Sequence, residues 1–357
     1  MQRHGGDIYS AAEALAGAGG NRELLDFSAS INPLGMPESG IVAYRESLSW
    51  VAHYPDPEVR ELRRAIAAHH GIGIESILCG NGSTELISLV PRALSLRKVA
   101  APSPTFSEYE RAVNRAGGEM IPIPLDPAKN FDPAMDELFK GAEQADALFL
   151  CNPNNPTGRL LDRETVLKIA EHCSQQKIYF MVDETFGDFC PGHSILKEAA
   201  GNPYLLSLRS FTKFYGMPGL RLGYLVAHPS VVGRVRELQD SWSIGVPAQR
   251  VGVAVLSDGD YAERTLDLIT GEREFLSAEL KKTGWLEPVP SSANFLLVRI
   301  TDPAVTPDMT CEMTAKSGIL LRNCRSFPGL DRYVRIAVRS REENKRLLEA
   351  LQMLTFK

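Results

Sequence analysis

The sequence predicts an α/β protein with a three-layer large domain, built on a mainly parallel sheet, and a smaller α+β domain. Up to about residue 240, short continuous apolar runs alternate with helical patterns, as in sheets whose strands are buried on both faces. After that point the pattern changes to a long helix-rich region followed by separate strands. With 357 residues, of which 44% are hydrophobic, the chain can bury the cores of one large and one smaller domain.

The large domain is expected to comprise residues 33–241, and the small domain residues 1–32 together with 242–357. Apolar runs predict strands of the large sheet at residues 98–101, 147–150, 178–182, 204–208 and 223–226. Strands of the small domain are predicted at residues 295–298, 319–322 and 333–338, before a closing helix with Leu347, Leu348, Leu351 and Met353. In a parallel sheet, functional residues lie just beyond the strand ends.

The bulk properties exclude several classes of protein. A formal net charge of −5 gives no indication of nucleic acid or an anionic membrane surface as a partner. The six cysteines are scattered without a C-x-x-C pair, which argues against zinc sites and for reduced thiols, and no metal is expected. The start of the chain lacks the apolar run of a signal peptide, and no apolar stretch approaches membrane-spanning length, so a cytoplasmic protein is expected.

The first segment contains a possible ligand contact and a strand. Two glycines follow His4, and glycines let the backbone approach a ligand closely, although His4 by itself could be a frayed terminal residue. From Leu25 to Asn32, polar and apolar residues alternate and end in Asn-Pro. This pattern predicts a short strand that runs into a turn.

The next strand leads into a turn with the composition of an anion site. After an amphipathic helix through Leu62 and Ile66, the strand at residues 77–79 runs into Gly80-Asn81-Gly82-Ser83-Thr84 and a second helix. Free backbone N–H groups and the helix dipole would converge there, which favours a bound phosphate. A turn of this composition can also bind nothing, so an ordinary turn is the alternative.

Two polar residues follow strands in the middle of the chain. Asp183 ends a buried strand, and a lone buried carboxylate is costly unless a cation pairs with it. A protonated pyridinium would be such a partner, and the protonated ring would act as an electron sink. Asn155 lies in Asn152-Pro153-Asn154-Asn155-Pro156-Thr157-Gly158 and could donate a hydrogen bond to the phenolic oxygen of that ring, although a simple turn asparagine is the alternative.

Lys213 lies between a predicted buried strand and a Pro/Gly-rich turn, with Ser210 before it and Arg221 after it. A buried lysine with a lowered pKa forms imines with carbonyl compounds, and a phosphorylated aldehyde cofactor needs hydroxyl and guanidinium donors nearby. This stretch alone is equally compatible with a structural lysine at a strand end.

Together, Asn155-Pro156-Thr157-Gly158, Asp183, Ser210-x-x-Lys213 and Arg221-x-Gly223 resemble, in order and spacing, the core of fold type I pyridoxal-phosphate enzymes of the class I/II aminotransferase group. The resemblance covers essentially the whole chain. It implies pyridoxal 5′-phosphate held as a Schiff base by Lys213, and a ring stacked on Phe106. It further implies a homodimer in which Tyr54 reaches the cofactor phosphate of the neighbouring subunit. The implied phosphate ligands in the same subunit are Gly82, Ser83, Thr84, Ser210 and Arg221.

Further motifs indicate which enzymes within the class I/II aminotransferase group the chain resembles. His4-Gly5-Gly6, the segment from Leu25 to Gly35, the stretch from Thr212 to Tyr224 and Arg322-x-Cys324-x-x-Phe327-Pro328-Gly329-Leu330 resemble the threonine-phosphate decarboxylases of cobalamin biosynthesis. The histidinol-phosphate aminotransferases are the alternative, since they share the core. The resemblance implies decarboxylation of O-phospho-L-threonine to (R)-1-aminopropan-2-ol phosphate.

Two arginines on predicted strands of the small domain suggest an anionic substrate. Arg322 and Arg335 could each hold an anion through a bidentate fork, or could be surface residues. By resemblance they bind the substrate together with Asn155, and His4, Gly5 and residue 30 complete a pocket for its phosphate. Ser30 departs from the asparagine usual in that group, which leaves space and removes an amide donor. O-Phospho-L-serine, which would give ethanolamine phosphate, therefore remains an alternative substrate.

Overall fold

The computed structural model describes residues 5–17 and 24–353. The strands are β1 (Leu25–Asp26), β2 (Ile77–Asn81), β3 (Lys98–Ser103), β4 (Glu119–Pro124), β5 (Ala147–Cys151), β6 (Tyr179–Asp183), β7 (Leu205–Ser210), β8 (Leu222–Ala227), β9 (Leu286–Pro288), β10 (Phe295–Ile300), β11 (Ile319–Leu320), β12 (Arg322–Asn323) and β13 (Tyr333–Ala337). The α-helices are α1 (Ile8–Gly17), α2 (Glu38–Ser47), α3 (Arg60–His70), α4 (Ser83–Ala93), α5 (Glu108–Arg115), α6 (Met135–Glu143), α7 (Arg163–Gln175), α8 (Leu196–Gly201), α9 (Phe211–Phe214), α10 (Pro229–Arg236), α11 (Val246–Leu256), α12 (Gly259–Lys282), α13 (Pro307–Lys316) and α14 (Arg341–Gln352).

The main sheet has seven strands in the order β2-β8-β7-β6-β5-β3-β4. Strand β8 is antiparallel to both of its neighbours, and the other strands are parallel to one another. Side chains of β5 alternate between two cores: Leu148 and Leu150 pack with α6 and α7, whereas Ala147 and Phe149 pack with α4 and α5. The predicted three-layer α/β fold with a mainly parallel sheet is therefore confirmed.

The prediction missed the edge strand β4. Its sequence contains Pro122 and Pro124, which cannot donate to a neighbouring strand, and proline is tolerated at a sheet edge. Among the described residues its single neighbouring strand is β3, to which it is parallel. The continuous apolar runs, in contrast, all fall within strands or one residue outside them.

A second sheet has the antiparallel order β12-β13-β10-β9. The run predicted at residues 319–322 is divided between two sheets, because β11 pairs with β1 and β12 pairs with β13. Leu25 pairs with Ile319, which joins the N-terminal part of the chain to its C-terminal part. Helix α11 packs against α2 and α3. The proposed domain limits at residues 33 and 242 remain a prediction.

In the part of the chain that the structure describes, no helix has the length and apolar character needed to cross a bilayer. The fold places the ends of β5, β6 and β7 side by side, since these strands are adjacent and parallel. Asp183 is the last residue of β6, and Ser210 is the last residue of β7. These strand ends form the floor of the site described next.

Candidate active site

A cavity opens above the carboxyl ends of β5, β6 and β7. It brings together most of the residues predicted for the site: Gly5, Ser30, Ser83, Thr84, Phe106, Asn155, Asp183, Lys213, Arg221, Arg322 and Arg335. Two predicted phosphate ligands, Gly82 and Ser210, lie next to lining residues without being part of the cavity wall. His4 lies outside the described residues.

Lys213 lies in the single turn α9, which directly follows β7. The turn begins at Ser210, whose hydroxyl accepts a hydrogen bond from the Thr212 backbone N–H at 3.3 Å. Burial, reinforced by the cations Arg335 and Arg221, lowers the pKa of Lys213 to about 8. An appreciable fraction of the amine is therefore uncharged near neutral pH, as a nucleophilic lysine requires.

Asp183 is buried, and each of its carboxylate oxygens has a donor. Oδ2 accepts a hydrogen bond from the Tyr109 hydroxyl at 2.6 Å, and Oδ1 accepts one from the Thr185 backbone N–H at 2.9 Å. Burial raises the pKa of Asp183, and the two donors partly offset that effect. A protonated ring nitrogen at this carboxylate would supply the positive charge that favours its ionised form.

The N-terminus of α4 and the Arg221 side chain form an anion cradle. Arg221 has a positive φ of 53°, and its guanidinium lies so close to Gly82 that a Cβ there would be 2.4 Å from Nη2. A Cβ at Gly223 would be 2.6 Å from the backbone nitrogen of Ser83. Glycine at these two positions lets a guanidinium and the first N–H groups of a helix converge, which is an arrangement that binds phosphate.

Arg322 and Arg335 form a cationic wall of the cavity. They are paired across β12 and β13, and both are buried. Arg335 donates from Nη1 to Asn155 Oδ1 at 2.6 Å and from Nη2 to the Ser28 carbonyl oxygen at 2.8 Å. Burial lowers the pKa of Arg335 to about 10, so it still carries its charge at neutral pH. Two neighbouring guanidinium groups suit a substrate with more than one anionic group.

Ser30 and Phe106 complete the wall of the cavity in different ways. The Ser30 side chain is buried, and its hydroxyl has no hydrogen-bond partner among the described residues. Phe106 presents an aromatic ring to the cavity and contacts Tyr109 edge-to-face, with ring centroids 5.6 Å apart. An unpaired buried hydroxyl beside a cavity favours a polar ligand there.

Tyr54 lies away from this cavity. Its side chain is 82% exposed, and its ring contacts Trp242 with centroids 5.0 Å apart, in a separate surface depression. Whether Tyr54 reaches the site of a neighbouring subunit is therefore still a prediction.

The sequence-based prediction missed several residues of the site. Cys151 and Thr185 line the cavity and adjoin predicted strand ends, so the strand-end rule could have included them. Phe327 also lines the cavity, and Tyr109 contacts Asp183 from 74 positions away in sequence. Phe327 belongs to the motif that begins at Arg322, but its place in the cavity wall, like the contact of Tyr109 with Asp183, depends on tertiary packing.

A half-buried lysine, a buried carboxylate and an anion cradle at the carboxyl edge of this sheet define an enzyme of the pyridoxal-phosphate fold type I class. Each part of pyridoxal 5′-phosphate, the cofactor, fits a group of the chain. The anion cradle suits the phosphate of the cofactor, and Asp183 suits its ring nitrogen. Lys213 suits its aldehyde, and Phe106 suits the face of its ring.

The chain belongs to the family of class I and II aminotransferases, whose family model matches residues 22–351. It is 38% identical over 352 residues to the threonine-phosphate decarboxylase of Salmonella typhimurium, covering 98% of this chain and 95% of that protein. It is 34% identical over 336 residues to histidinol-phosphate aminotransferase 2 of Archaeoglobus fulgidus, covering 93% of each. The crystal structure of L-threonine-O-3-phosphate decarboxylase from Porphyromonas gingivalis superposes with a TM-score of 0.83 at 26% identity, covering 92% of this chain and 98% of that one.

Proposed function

We propose that this enzyme decarboxylates O-phospho-L-threonine to (R)-1-aminopropan-2-ol phosphate, which serves as the linker in the nucleotide loop of cobalamin. The observation that carries the proposal is the cationic wall: Arg322 and Arg335 are buried, adjacent and directed into one cavity. A phospho-amino acid brings a carboxylate and a phosphate, which is the charge that such a wall accommodates. The similarity to the Salmonella protein supports the same activity.

Side chains of the protein bind the substrate, orient it and transfer a proton to it. When bound, the cofactor supplies an electron sink for the negative charge that develops at the substrate Cα. Asp183 keeps a proton on the ring nitrogen by stabilising the positive charge there. Arg322 and Arg335 fix the anionic groups of the substrate and so decide which bond at Cα is held in the reactive orientation. The Lys213 amine, with a pKa of about 8, can carry the proton that Cα receives after loss of CO2.

The same catalytic groups could remove the Cα proton instead of the carboxylate, so histidinol-phosphate aminotransferase activity is the second candidate. The Archaeoglobus relative supports it. O-Phospho-L-serine is the alternative substrate for decarboxylation, because it lacks one methyl group and discrimination of a methyl is worth only about 1–3 kcal/mol. Both candidates use the same cavity.

The proposal includes a cytoplasmic homodimer. Tyr54 would then reach the cofactor phosphate of the neighbouring subunit, and its high exposure in the single chain is compatible with that role.

The test compares three incubations of the purified holoenzyme: O-phospho-L-threonine, O-phospho-L-serine, and histidinol phosphate with 2-oxoglutarate. We expect CO2 from the first, with the amino alcohol phosphate as the other product. Glutamate from the third mixture, with no CO2 from either phospho-amino acid, would refute the decarboxylase assignment. A Lys213→Ala variant should lose the activity, and retention of full activity would contradict the role of the lysine.

A further inference from the structure

Ser28 lies between the N-terminal segment, here residues 5–7 before α1, and one arginine of the cationic wall. Its hydroxyl accepts a hydrogen bond from the Gly6 backbone N–H at 2.8 Å and donates one to Asp26 Oδ1 at 2.6 Å. Its carbonyl oxygen accepts from Arg335 Nη2 at 2.8 Å. A single residue thus contacts both the beginning of the described chain and an arginine that lines the cavity.

The Asp26 carboxylate fixes the orientation of the Ser28 hydroxyl. Besides the Ser28 hydroxyl, its Oδ1 accepts hydrogen bonds from the backbone N–H groups of Ser28, at 2.8 Å, and of Ala29, at 3.2 Å. A carboxylate only accepts and a backbone N–H only donates, so the Ser28 hydroxyl must direct its hydrogen to Asp26 and a lone pair to Gly6. The Asp26 side chain therefore determines where Gly6 is bound.

Gly5 packs directly on Ser28. A Cβ at Gly5 would lie 2.0 Å from the Ser28 carbonyl oxygen and 2.6 Å from its carbon, so only glycine allows this approach. Gly5, Ala29 and Ser30 all line the cavity. The N-terminal segment is thus one wall of the site, and the Asp26 and Ser28 side chains attach it to β1.

We propose that Asp26 and Ser28 are positioning residues that seat the N-terminal segment beside Arg335, where it completes the binding site for the phosphorylated part of the substrate. Neither side chain needs to touch the substrate. They act through Gly5 and Gly6, and loss of either should weaken substrate binding more than the chemical step. The inference rests on the proposed function for the identity of the ligand, whereas the hydrogen bonds to Gly6 do not depend on it.

Four variants of the holoenzyme separate this role from a general contribution to folding. Ser28→Ala removes the acceptor for Gly6, and Asp26→Ala removes the acceptor for Ser28 and Ala29. Asp26→Asn is the conservative rescue variant, since all three of these hydrogen bonds go to Oδ1, which an asparagine retains while losing the carboxylate charge. Ser47→Ala is the control, because it also removes a hydrogen-bonded serine hydroxyl, one that donates to the Tyr44 carbonyl oxygen at 2.6 Å.

The first measurement is steady-state CO2 release from O-phospho-L-threonine. Ser28→Ala and Asp26→Ala should raise KM about fivefold to tenfold, the effect of roughly one hydrogen bond, with kcat within about twofold. The second measurement is amide hydrogen exchange of the peptide that contains Gly6. Exchange there should be faster in the two alanine variants and as slow in Asp26→Asn as in the unmodified enzyme. Ser47→Ala, the control, should behave like the unmodified enzyme in both measurements.

Unchanged exchange at Gly6 in Ser28→Ala would overturn the proposal, as would faster exchange without a change in KM, or a loss confined to kcat. If the unmodified enzyme releases no CO2, the proposed function fails. The exchange measurement then still decides whether Asp26 and Ser28 seat the segment.

Discussion

At the scale of single residues, Lys213 shows how its surroundings determine the pKa of a catalytic amine. Burial first, and the charges of Arg335 and Arg221 second, lower its pKa to about 8, whereas a lysine in an unfolded chain titrates near 10.4. Below pH 8 the Lys213 amine of the folded, cofactor-free protein is charged, although burial and the neighbouring arginines disfavour the charged form. This costs folding stability. Between pH 8 and about 10.4 the unfolded chain binds more protons, so this group makes stability rise with pH.

We therefore expect cofactor-free Lys213→Met to be more stable than the unmodified protein below pH 8, because the variant avoids that cost. The advantage should shrink as the pH rises from 8 towards about 10.4. Urea unfolding of both proteins at several pH values, after removal of the cofactor, measures the difference. A stability difference that does not vary with pH would contradict this explanation.

Tyr109 is a second residue whose effect can be isolated. Its hydroxyl donates to Asp183 Oδ2 at 2.6 Å, and this bond helps to lower the pKa of a carboxyl that burial raises. Tyr109→Phe should weaken cofactor binding about tenfold, since a hydrogen bond to a charged group contributes about 1.5–3 kcal/mol and part of it is replaced. Titration of the cofactor-free protein with pyridoxal 5′-phosphate measures this affinity.

Tyr179→Phe is the control for that variant, because the Tyr179 hydroxyl accepts a hydrogen bond from Arg234 at 3.1 Å on an exposed surface. If both variants bind the cofactor equally well, Tyr109 does not act through Asp183.

At the scale of elements, a buried ion pair joins the ends of β6 and β7. Arg209 donates from Nε to Glu184 Oε2 at 2.9 Å and from Nη1 to Asp188. Burial alone would lower the pKa of Arg209, but the carboxylates of Asp188 and Glu184 outweigh burial and raise it. These residues adjoin Asp183 and Ser210, so the pair fixes two strand ends that carry the site.

Arg209→Met should destabilise the protein by about 3–5 kcal/mol, because it leaves the buried Glu184 and the half-buried Asp188 without their cation. Adding Glu184→Gln and Asp188→Asn should recover part of this loss. Denaturant unfolding of the cofactor-free proteins provides the comparison. A single variant as stable as the unmodified protein would show that the ion pair contributes no net stability.

The elements also show what a sequence can predict. Strands such as β5 are buried on both faces, so their apolar runs were recognisable and their limits were correct within one or two residues. The edge strand β4 was missed because Pro122 and Pro124 are typical of loops. Asp183 and Lys213 follow predicted strands and could be found from local sequence. The contacts of Tyr109 and Ser28 join distant parts of the chain, and only the folded structure shows them.

At the scale of the whole molecule, one region of the surface carries several large exposed apolar and aromatic side chains. Trp50, Val51, Tyr54 and Trp242 are all large, exposed and close in space around one depression or beside it. Tyr54 contacts Trp242, and the Arg250 guanidinium lies 4.4 Å from the centre of the Trp50 ring. Apolar patches of this kind in otherwise polar surfaces are typical of protein interfaces. The patch contains Tyr54, the residue predicted to act in the neighbouring subunit.

We therefore expect Trp242→Glu to shift the protein from dimer to monomer, since a charge would be buried without a partner in the interface. CO2 release should fall with it, because Tyr54 would no longer reach the second site. Met353→Glu is the control, because Met353 is also an exposed apolar residue and lies at the C-terminal end of the described chain, more than 100 positions from Trp242 in sequence. Analytical ultracentrifugation gives the oligomeric state. A variant that remains dimeric would place the interface elsewhere, and a fully active monomer would show that catalysis does not need Tyr54 of the neighbouring subunit.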